Sequence, residues 1–382
     1  MQSLKWSQVN AWRLAQHGLS PRFEPQDILK ALRGTCGIQA QVMSAAELAL
    51  GVRMPGITPQ NVQSALWQER TLVKTWAMRA TLHLLASQDL PLYTAARSLD
   101  EPRNWIGYFE YYGVSKHQME AYLVAAPEIL GSEPMTKEQF AAALLERTGS
   151  TELHQLILTS NWGTVLKPLA WRGELCFGPS RGQNVTYVSP RRWLGAALGE
   201  RQPLEPFAAL QEVARRYLRS YGPATLKEFV GWWGMRLTPA RKLFKSLEPE
   251  LEPVDVEGWH ALALRETLEP MRNLESQGSV NLLPYFDAYT MGIGRGADIE
   301  PLLPKAYQRL VYRLQGWISP VVLVDGYIKG IWEPKAQRKQ TVLKFRMFTP
   351  PAAATREGIE REAERISLFL NAKTVIEFNE VQ

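Results

Sequence analysis

The sequence has few cysteines and no long apolar run, and each absence excludes a class of protein. Its two cysteines, Cys36 and Cys176, lie far apart and in no CxxC or Cys/His spacing, so neither a disulfide framework nor a zinc site is predicted. No stretch approaches about 18 consecutive apolar residues, and polar residues interrupt the N-terminal segment throughout, so it has no continuous apolar region. We therefore predict a cytoplasmic protein with no signal peptide, no membrane span and no metal.

Charge of one sign is not in large excess either. The chain carries 44 Lys and Arg against 38 Asp and Glu, a formal charge of +6. This mild basic excess favours a polyanionic partner without identifying one. Hydrophobic residues make up 45% and charged residues 21%, so no large disordered region is expected. At 382 residues the chain is too long for one ordinary core, and we expect two to four packed units.

One order of elements recurs three times in the first two thirds of the chain. Apolar residues three and four apart predict helices in DILKALRGTCGI, VMSAAELALGVR and NVQSALWQ, and alternation predicts strands in LVKTWAM and TLHLLA. In the second copy Thr136 caps a helix, another helix runs from about Glu152 to Trp171, and GELCFGPSRGQNVTYVSP forms a hairpin. The third copy consists of ALQEVARRYLRSYG, PATLKEFVGWWG, TPARKLFKSL and LEPVDVEGWHALALR. Short helices followed by a hairpin indicate a winged helix-turn-helix.

Strand patterns dominate after about Met271. VNLLPYFDAYTMGI, VYRLQGWISPVVLVDGYIKGIWEP and QTVLKFRMF alternate, one long helix lies in TREGIEREAERISLFLN, and TVIEFN ends the chain as a strand. We predict an α+β fold with three tandem winged helix-turn-helix units that scaffold a C-terminal antiparallel β-barrel. The predicted boundaries are 1–100, 101–200, 201–270 and 271–382.

Four blocks resemble the winged-helix crosslink-repair DNA glycosylases, the AlkZ and YcaQ group: GIQAQVMSAAELALGVR, TWAMRATLHLLASQDL, NLLPYFDAYTMG and VVLVDGYIKGIW. Together with YGPATLKEFVGWWG they span nearly the whole chain. The resemblance implies three winged helices and a β-barrel arranged as a concave DNA-binding surface. It also implies excision of bulky N-alkylated purines, in some members from interstrand crosslinks, without a metal or organic cofactor.

The family's catalytic motif, a Gln, one residue, then Gln or Asp, matches Gln39, Ala40 and Gln41. The Gln at the second position resembles the AlkZ branch more than the YcaQ branch. Within a regular helix the two side chains would point about 200° apart, so a shared target requires a helix end or irregular backbone, for which Gly37 supplies a break. The alternative is that both glutamines lie on a helix surface without a role.

Several other residues are candidates for contact with DNA or for a place in the site. Asp287 either caps a turn or supplies a carboxylate to the site. His83 is either a structural residue of the first wing or a phosphate or base contact, and the arginines of the second hairpin either contact DNA or belong to a solvated loop. Asn161, Thr164 and Lys167 lie where a recognition helix of the second unit would expose them. The candidate DNA contacts are Arg79, His83, Asn161, Thr164, Lys167, Arg172, Arg181, Arg191, Arg192 and Arg295.

The sequence therefore favours a monofunctional DNA glycosylase, because no nucleophilic lysine lies beside the glutamine pair. Its expected partner is double-stranded DNA that contains alkylated purines, and a nucleoid-associated monomer is expected. A non-enzymatic regulator built from the same winged helices is the alternative, although it would usually dimerise on a symmetric site. A role in RNA or nucleotide processing is a third possibility, for which the sequence has no dedicated motif.

Overall fold

The computed structural model describes residues 2–99, 104–199, 204–275, 278–293, 299–337 and 340–378. The chain forms two compact units. One unit combines residues 1–62 with residues 214–382 and is called the split unit here; the other, residues 63–213, is called the central unit. The four sequential boundaries expected from the sequence remain a prediction.

The first part of the split unit is mainly helical. Thr58 and Pro59 start its last helix, because the Asn61 backbone N–H donates to Thr58 Oγ1 at 3.2 Å and the proline lacks the N–H that a first helical residue leaves unpaired. The elements are β1 (Gln2–Leu4), α1 (Trp6–Gln16), α2 (Ile28–Gly34), β2 (Ile38–Gln39), α3 (Met43–Gly51) and α4 (Pro59–Trp67), whose last residues belong to the central unit.

The central unit continues with two hairpins and a set of short helices. Its elements are β3 (Leu72–Trp76), β4 (Leu82–Ala86), α5 (Leu90–Ser98), α6 (Asn104–Tyr111), α7 (Lys116–Ile129), β5 (Met135–Thr136), α8 (Lys137–Thr148), α9 (Thr151–Thr159), α10 (Lys167–Trp171), β6 (Cys176–Arg181), β7 (Asn184–Val188), α11 (Pro190–Leu194) and α12 (Pro206–Tyr221), whose residues from Ala214 on belong to the split unit. Thr136 caps α8 as predicted, with Oγ1 accepting from the Gln139 N–H. The core centres on Trp76, Phe109, Tyr122 and Phe140.

The helix predicted from about Glu152 to Trp171 is interrupted, which corrects that expectation. After α9 the chain forms a 3-10 segment, Asn161–Leu166, before α10 begins. Gly163 has a φ of +61°, outside the helical range, and its Cα lies against the Trp76 ring, where an added Cβ would stand 2.6 Å away. Pro168 follows at the start of α10, because its missing N–H would break a continuing helix.

The remaining part of the split unit begins with two helices and a hairpin. It contains α13 (Leu226–Trp233), α14 (Leu237–Ser246), β8 (Leu251–Val256), β9 (Trp259–Leu264), α15 (Arg265–Arg272), β10 (Val280–Leu283), α16 (Ala288–Gly292), α17 (Gln308–Val311), β11 (Val321–Val324), β12 (Tyr327–Gln337), β13 (Gln340–Met347), α18 (Ala353–Leu370) and β14 (Lys373–Phe378). The N-terminal strand β1 pairs in parallel with β8, so the first residues of the chain complete the sheet of this late hairpin.

The order of elements along the chain recurs as helix, strand, helix, helix, strand, strand. The first copy runs from α2 to β4. The second runs from α7 to β7 and has one extra short helix, α10, before its hairpin. In the third copy, α12 to β9, an isolated bridge from Ala224 to Leu262 stands where the others have a first strand. The molecule is thus α+β and mostly helical, with small sheets.

The C-terminal sheet departs from the predicted antiparallel barrel. Its order is β10-β11-β12-β13-β14, and β14 runs parallel to β13, so the described strands form an open, mixed, curled half-barrel. The cause is α18, because a long helix between β13 and β14 returns the chain to the same end of the sheet and makes the pair parallel.

Two of the predicted C-terminal strands are shorter than expected. The first ends at Leu283, since Pro284 has no N–H for a ladder, Phe286 has a φ of +57°, and Asp287 caps α16. In the second, VYRLQGWISPVVLVDGYIKGIWEP, the strands are Val321–Val324 and, after the turn at Asp325 and Gly326, the residues of β12 from Tyr327 on; the residues before Val321 form α17 and a 3-10 turn. The alternation of apolar and polar residues predicted longer strands in both segments, but local turns end or delay each strand.

Candidate active site

The two glutamines lie in the short segment between α2 and α3. Gln39 ends β2, and Gln41 occupies a bend just before α3. Ala40 between them is fully buried. Gly37, with a φ of +98°, provides the predicted break. The pair therefore lies on the irregular backbone that its spacing requires, and a position on a helix surface is wrong.

The two amides differ in accessibility. Gln39 is 7% exposed, whereas Gln41 is half-buried at the edge of the segment. A side chain that contacts solvent or substrate must be at least partly exposed, whereas a side chain that only orients its neighbour can be buried. Gln41 is thus the one of the two that can reach a water molecule.

A buried clamp holds the turn that precedes the glutamines. The Tyr221 hydroxyl donates to the Thr35 carbonyl at 2.7 Å, and Cys36 Sγ lies 3.4 Å from Ser220 Oγ. Cys36 itself has a φ of +54°, which an L-residue adopts only where its surroundings hold it. Because these contacts come from the end of α12, the position of the motif depends on a segment far along the chain.

The Tyr221 ring is itself fixed from two sides. At Gly292 an added Cβ would lie 1.9 Å from the ring, so only glycine lets the backbone of α16 pack this closely against Tyr221. On another side the His17 ring meets Tyr221 edge to face, with centroids 4.8 Å apart.

His17 belongs to a buried polar stripe along α1 with Asn10 and Arg13. Burial, with help from the charges of Arg53 and Arg13, holds the pKa of His17 well below its ordinary value, an effect that the Ser220 backbone offsets in part. Neither ring nitrogen has a hydrogen bond of normal geometry to a described residue. His17 is therefore neutral at physiological pH, and the ring that packs against Tyr221 behind the motif is uncharged.

A buried ion pair connects α3 to the C-terminal part of the split unit. Arg53 Nη1 and Nη2 donate to the two carboxylate oxygens of Asp287 at 2.7 and 2.8 Å, and both side chains are 0% exposed. Asp287 Oδ1 also accepts from the Tyr289 N–H at 2.9 Å, which caps α16. The capping role is thus observed, and a carboxylate with both oxygens bound and no exposure cannot act on substrate in this conformation.

In the central unit, the two candidates of the first hairpin lie in different environments. Arg79 is half-buried in the turn between β3 and β4, where it and Ala80 have φ values of +54° and +56°. His83 is 2% exposed, and burial first and the nearby Arg79 second lower its pKa to about 3. A buried neutral ring cannot pair with a phosphate, so the DNA-contact reading of His83 is corrected to a structural one.

The three candidates expected on one exposed helix face do not share a helix. Asn161 and Thr164 lie in the 3-10 segment, where Thr164 Oγ1 donates to the Asn161 carbonyl at 3.1 Å, and Lys167 begins α10. Only Asn161 is exposed; burial lowers the pKa of the half-buried Lys167. Because the 3-10 segment interrupts the predicted helix, the three side chains do not lie on one helix face.

The arginines around the second hairpin fall into two groups. Arg172, Arg181 and Arg191 are exposed, and Arg181 makes a long contact of 3.4 Å to Gln139. Arg192 is also exposed, but its Nη1 donates to the Leu130 carbonyl at 3.0 Å, so this guanidinium secures the end of α7. Arg295 lies outside the described residues.

Sequence reasoning missed the residues that support the motif, above all Arg53 and Tyr221. One signal was available: Asn10, Arg13 and His17 lie three and four residues apart, on one side of a helix whose neighbouring positions are apolar. Among the described residues, no group of three or more His, Cys, Asp or Glu is placed to hold a metal ion. The described helices include none that is long and apolar enough to span a membrane.

Comparisons with known proteins bear on the whole length of the chain. A family described as DNA glycosylase AlkZ-like matches residues 32–369. An interstrand DNA cross-link repair glycosylase from Streptomyces sahachiroi is 36% identical over 369 residues, which cover 95% of each chain. The solved structure of Streptomyces sahachiroi DNA glycosylase AlkZ matches with a TM-score of 0.85 and 33% identity, over 99% of this chain and 100% of that chain.

Proposed function

The chain belongs to the AlkZ-like DNA glycosylases, and from that premise we propose that it removes bulky purines alkylated at N7 or N3 from duplex DNA, interstrand crosslinks included. As a DNA glycosylase it is a hydrolase of N-glycosyl bonds, which replaces the regulator and the RNA-processing alternatives. The observation that carries the choice of substrate is the 36% identity, over 95% of both chains, to a glycosylase of interstrand crosslinks.

A site made of two amides suits this substrate. Neither glutamine titrates, so neither serves as a general acid or base. A purine alkylated at N7 or N3 is already cationic and departs as a neutral base, which leaves an oxocarbenium-like sugar to be attacked by water. An amide oxygen can hold that water and direct its dipole at the developing positive charge.

We assign the water-positioning role to Gln41 and the orienting role to Gln39. The partial exposure of Gln41 and the near-complete burial of Gln39 support this division. Since the second position is Gln, we place the chain in the Gln-x-Gln branch of the family. The fully buried Asp287 stays outside the chemistry and supports α3 through Arg53.

We interpret the three recurring sets of elements as winged helix-turn-helix units, which bring the duplex to the site. Their support is the repeated order of helices and strands, with a hairpin at the end of each copy. The exposed candidates Asn161, Arg172, Arg181 and Arg191, together with Arg79 at the first turn, are proposed to contact the DNA backbone. We further propose a monomer, which light scattering during gel filtration would test.

The activity is tested with a duplex that contains one N7-alkylguanine and, separately, with a crosslinked duplex. Mass spectrometry should detect the free modified base, and the strand should stay intact until the abasic site is treated with alkali, as expected of a monofunctional enzyme. No release from methylated, bulky or crosslinked substrates would contradict the proposal.

The roles of the amides are tested in the same assay under single-turnover conditions. Gln41→Ala should bind the duplex normally but lose about 100-fold or more in rate, the loss typical when one preorganised polar group is removed. Gln41→Asp should retain activity, because a carboxylate can also hold the water. Gln60→Ala, an exposed glutamine at the start of α4, is the matched control and should behave as wild type. Undiminished rates in Gln41→Ala would remove the mechanism and leave the enzyme class standing.

A further inference from the structure

A cavity of about 280 Å³ in the split unit collects three guanidinium groups. Its walls come from the loop after α1, the start of β10 and one face of α18. Arg22 lies in the loop, and Arg361 and Arg365 lie one turn apart on α18. We call this feature the arginine cavity. None of its lining residues belongs to the glutamine motif or to the clamp behind it.

The charges in the arginine cavity do not balance. Glu362 is the carboxylate that lines it; Arg22 donates to Glu362 at 2.7 Å, and Arg365 donates to the same carboxylate. Arg361 also forms an ion pair of 3.9 Å with Glu357, an exposed residue of α18 outside the lining, so three positive charges face two negative ones, an excess of one. Since Glu362 is almost completely buried while Arg361 and Arg365 are 61% and 48% exposed, the excess positive charge faces solvent.

The cavity is also well ordered by its surroundings. Residue 358 is glycine where α18 meets β10, and an added Cβ there would lie 2.4 Å from Val280. This close approach fixes the α18 face that carries Arg361 and Arg365. Arg22 is anchored by Glu362 and by Asn281 Oδ1 at 3.2 Å, while its Nε and Nη1 have no hydrogen-bond partner among the described residues.

We infer that the arginine cavity binds a phosphate group of the DNA backbone. Guanidinium groups match phosphate oxygens in two-pronged hydrogen bonds. Arg361 and Arg365 both line the cavity and lie one helical turn apart, so they face the same bound group. A phosphate fits easily in the available volume, whereas a base with its sugar would not gain from so polar a wall. The inference rests on the proposed function in one respect: the protein must bind duplex DNA, which supplies the phosphate.

The test measures binding of an undamaged duplex by fluorescence anisotropy over a range of salt concentrations. Arg361→Ala/Arg365→Ala should bind roughly three- to tenfold more weakly at low salt, and the slope of log K against log[salt] should fall by about 0.9 for the lost phosphate. The control Lys305→Ala/Arg309→Ala removes the same charge from exposed positions outside the cavity and should leave the slope nearly unchanged. Circular dichroism melting checks that both variants fold.

A second arm uses inorganic phosphate at constant ionic strength. Phosphate should raise the melting temperature of the wild type more than that of Arg361→Ala/Arg365→Ala. An unchanged DNA slope in this variant, or an equal change in both variants, overturns the inference. If phosphate stabilises the wild type but the DNA slope does not move, the cavity binds free phosphate instead of DNA. Base release, assayed separately on damaged duplex with the wild type, tests the proposed function and is independent of this result.

Discussion

Replacing Asp287 with asparagine separates a structural role from a chemical one. The change removes one charge, keeps the shape of the side chain and retains an oxygen that can cap α16, since asparagine is as good a capping residue as aspartate. What it destroys is the ion pair with Arg53, whose side chain is 0% exposed. Arg53 would then be a buried cation without its counterion.

The cost follows from this burial. Breaking a buried ion pair by removing one partner destabilises a protein by about 3–5 kcal/mol, most of it from the uncompensated charge. That is a large fraction of an ordinary folding free energy of about 5–15 kcal/mol. We therefore expect Asp287→Asn to lower the free energy of unfolding by several kcal/mol. The double variant Arg53→Met/Asp287→Leu should recover much of the loss, because no charge is left unpaired.

Urea unfolding followed by circular dichroism measures the stability, and single-turnover base release at a temperature where the variant stays folded measures the chemistry. The folded fraction of Asp287→Asn should release base at a rate within a few fold of wild type. A variant as stable as wild type but inactive would refute the reasoning, because it would make the Asp287 carboxylate part of the reaction. Glu252→Gln, in the partly exposed pair with Arg265, is the control and should cost less than about 1 kcal/mol.

Three further predictions concern the clamp, the first turn and the histidines. Tyr221→Phe loses the buried hydrogen bond to the Thr35 carbonyl and should lower the free energy of unfolding by about 1 kcal/mol. It should also lower the single-turnover rate of base release without changing the affinity for DNA. An unchanged rate would show that the clamp does not position the motif. Ala80→Gly relieves a left-handed backbone and should stabilise the central unit by roughly 0.5–1 kcal/mol in urea unfolding; destabilisation would contradict it. Burial lowers the folded-state pKa of His17 and His83, so below about pH 6.5 the unfolded chain binds more protons than the folded chain. The free energy of unfolding is therefore highest above that pH. As the pH drops it should fall by up to about 1.4 kcal/mol per pH unit for each histidine. Urea titrations at pH 7, 6 and 5 check this, and a flat profile would show that the rings protonate in the folded protein.

The periodic patterns of the chain predicted most local elements. Helices, hairpins and caps such as Thr58 and Thr136 depend on neighbours three or four residues away, and these interactions are written into short stretches of sequence. The same local rules required a break near Gly37, which the backbone has. Where prediction failed locally, as across Gly163, a distant ring occupied the space that a side chain would need.

The resemblance of a few blocks also sufficed to identify the family, because it spans nearly the whole chain. It identified the two glutamines as candidates but could not say which of them solvent reaches. That difference depends on packing around an extended segment, which the letters Gln-Ala-Gln do not contain.

Residue type and short-range spacing are enough to predict most helices and strands and the chemistry available at positions 39 and 41. The contact of Asp287 with Arg53, the bond from Tyr221 to the Thr35 carbonyl and the shared cavity of three arginines arise only in the folded chain. Each of these contacts joins residues more than 180 positions apart or depends on which face of an element is buried. Long-range packing sets such pairings, and no local pattern records them.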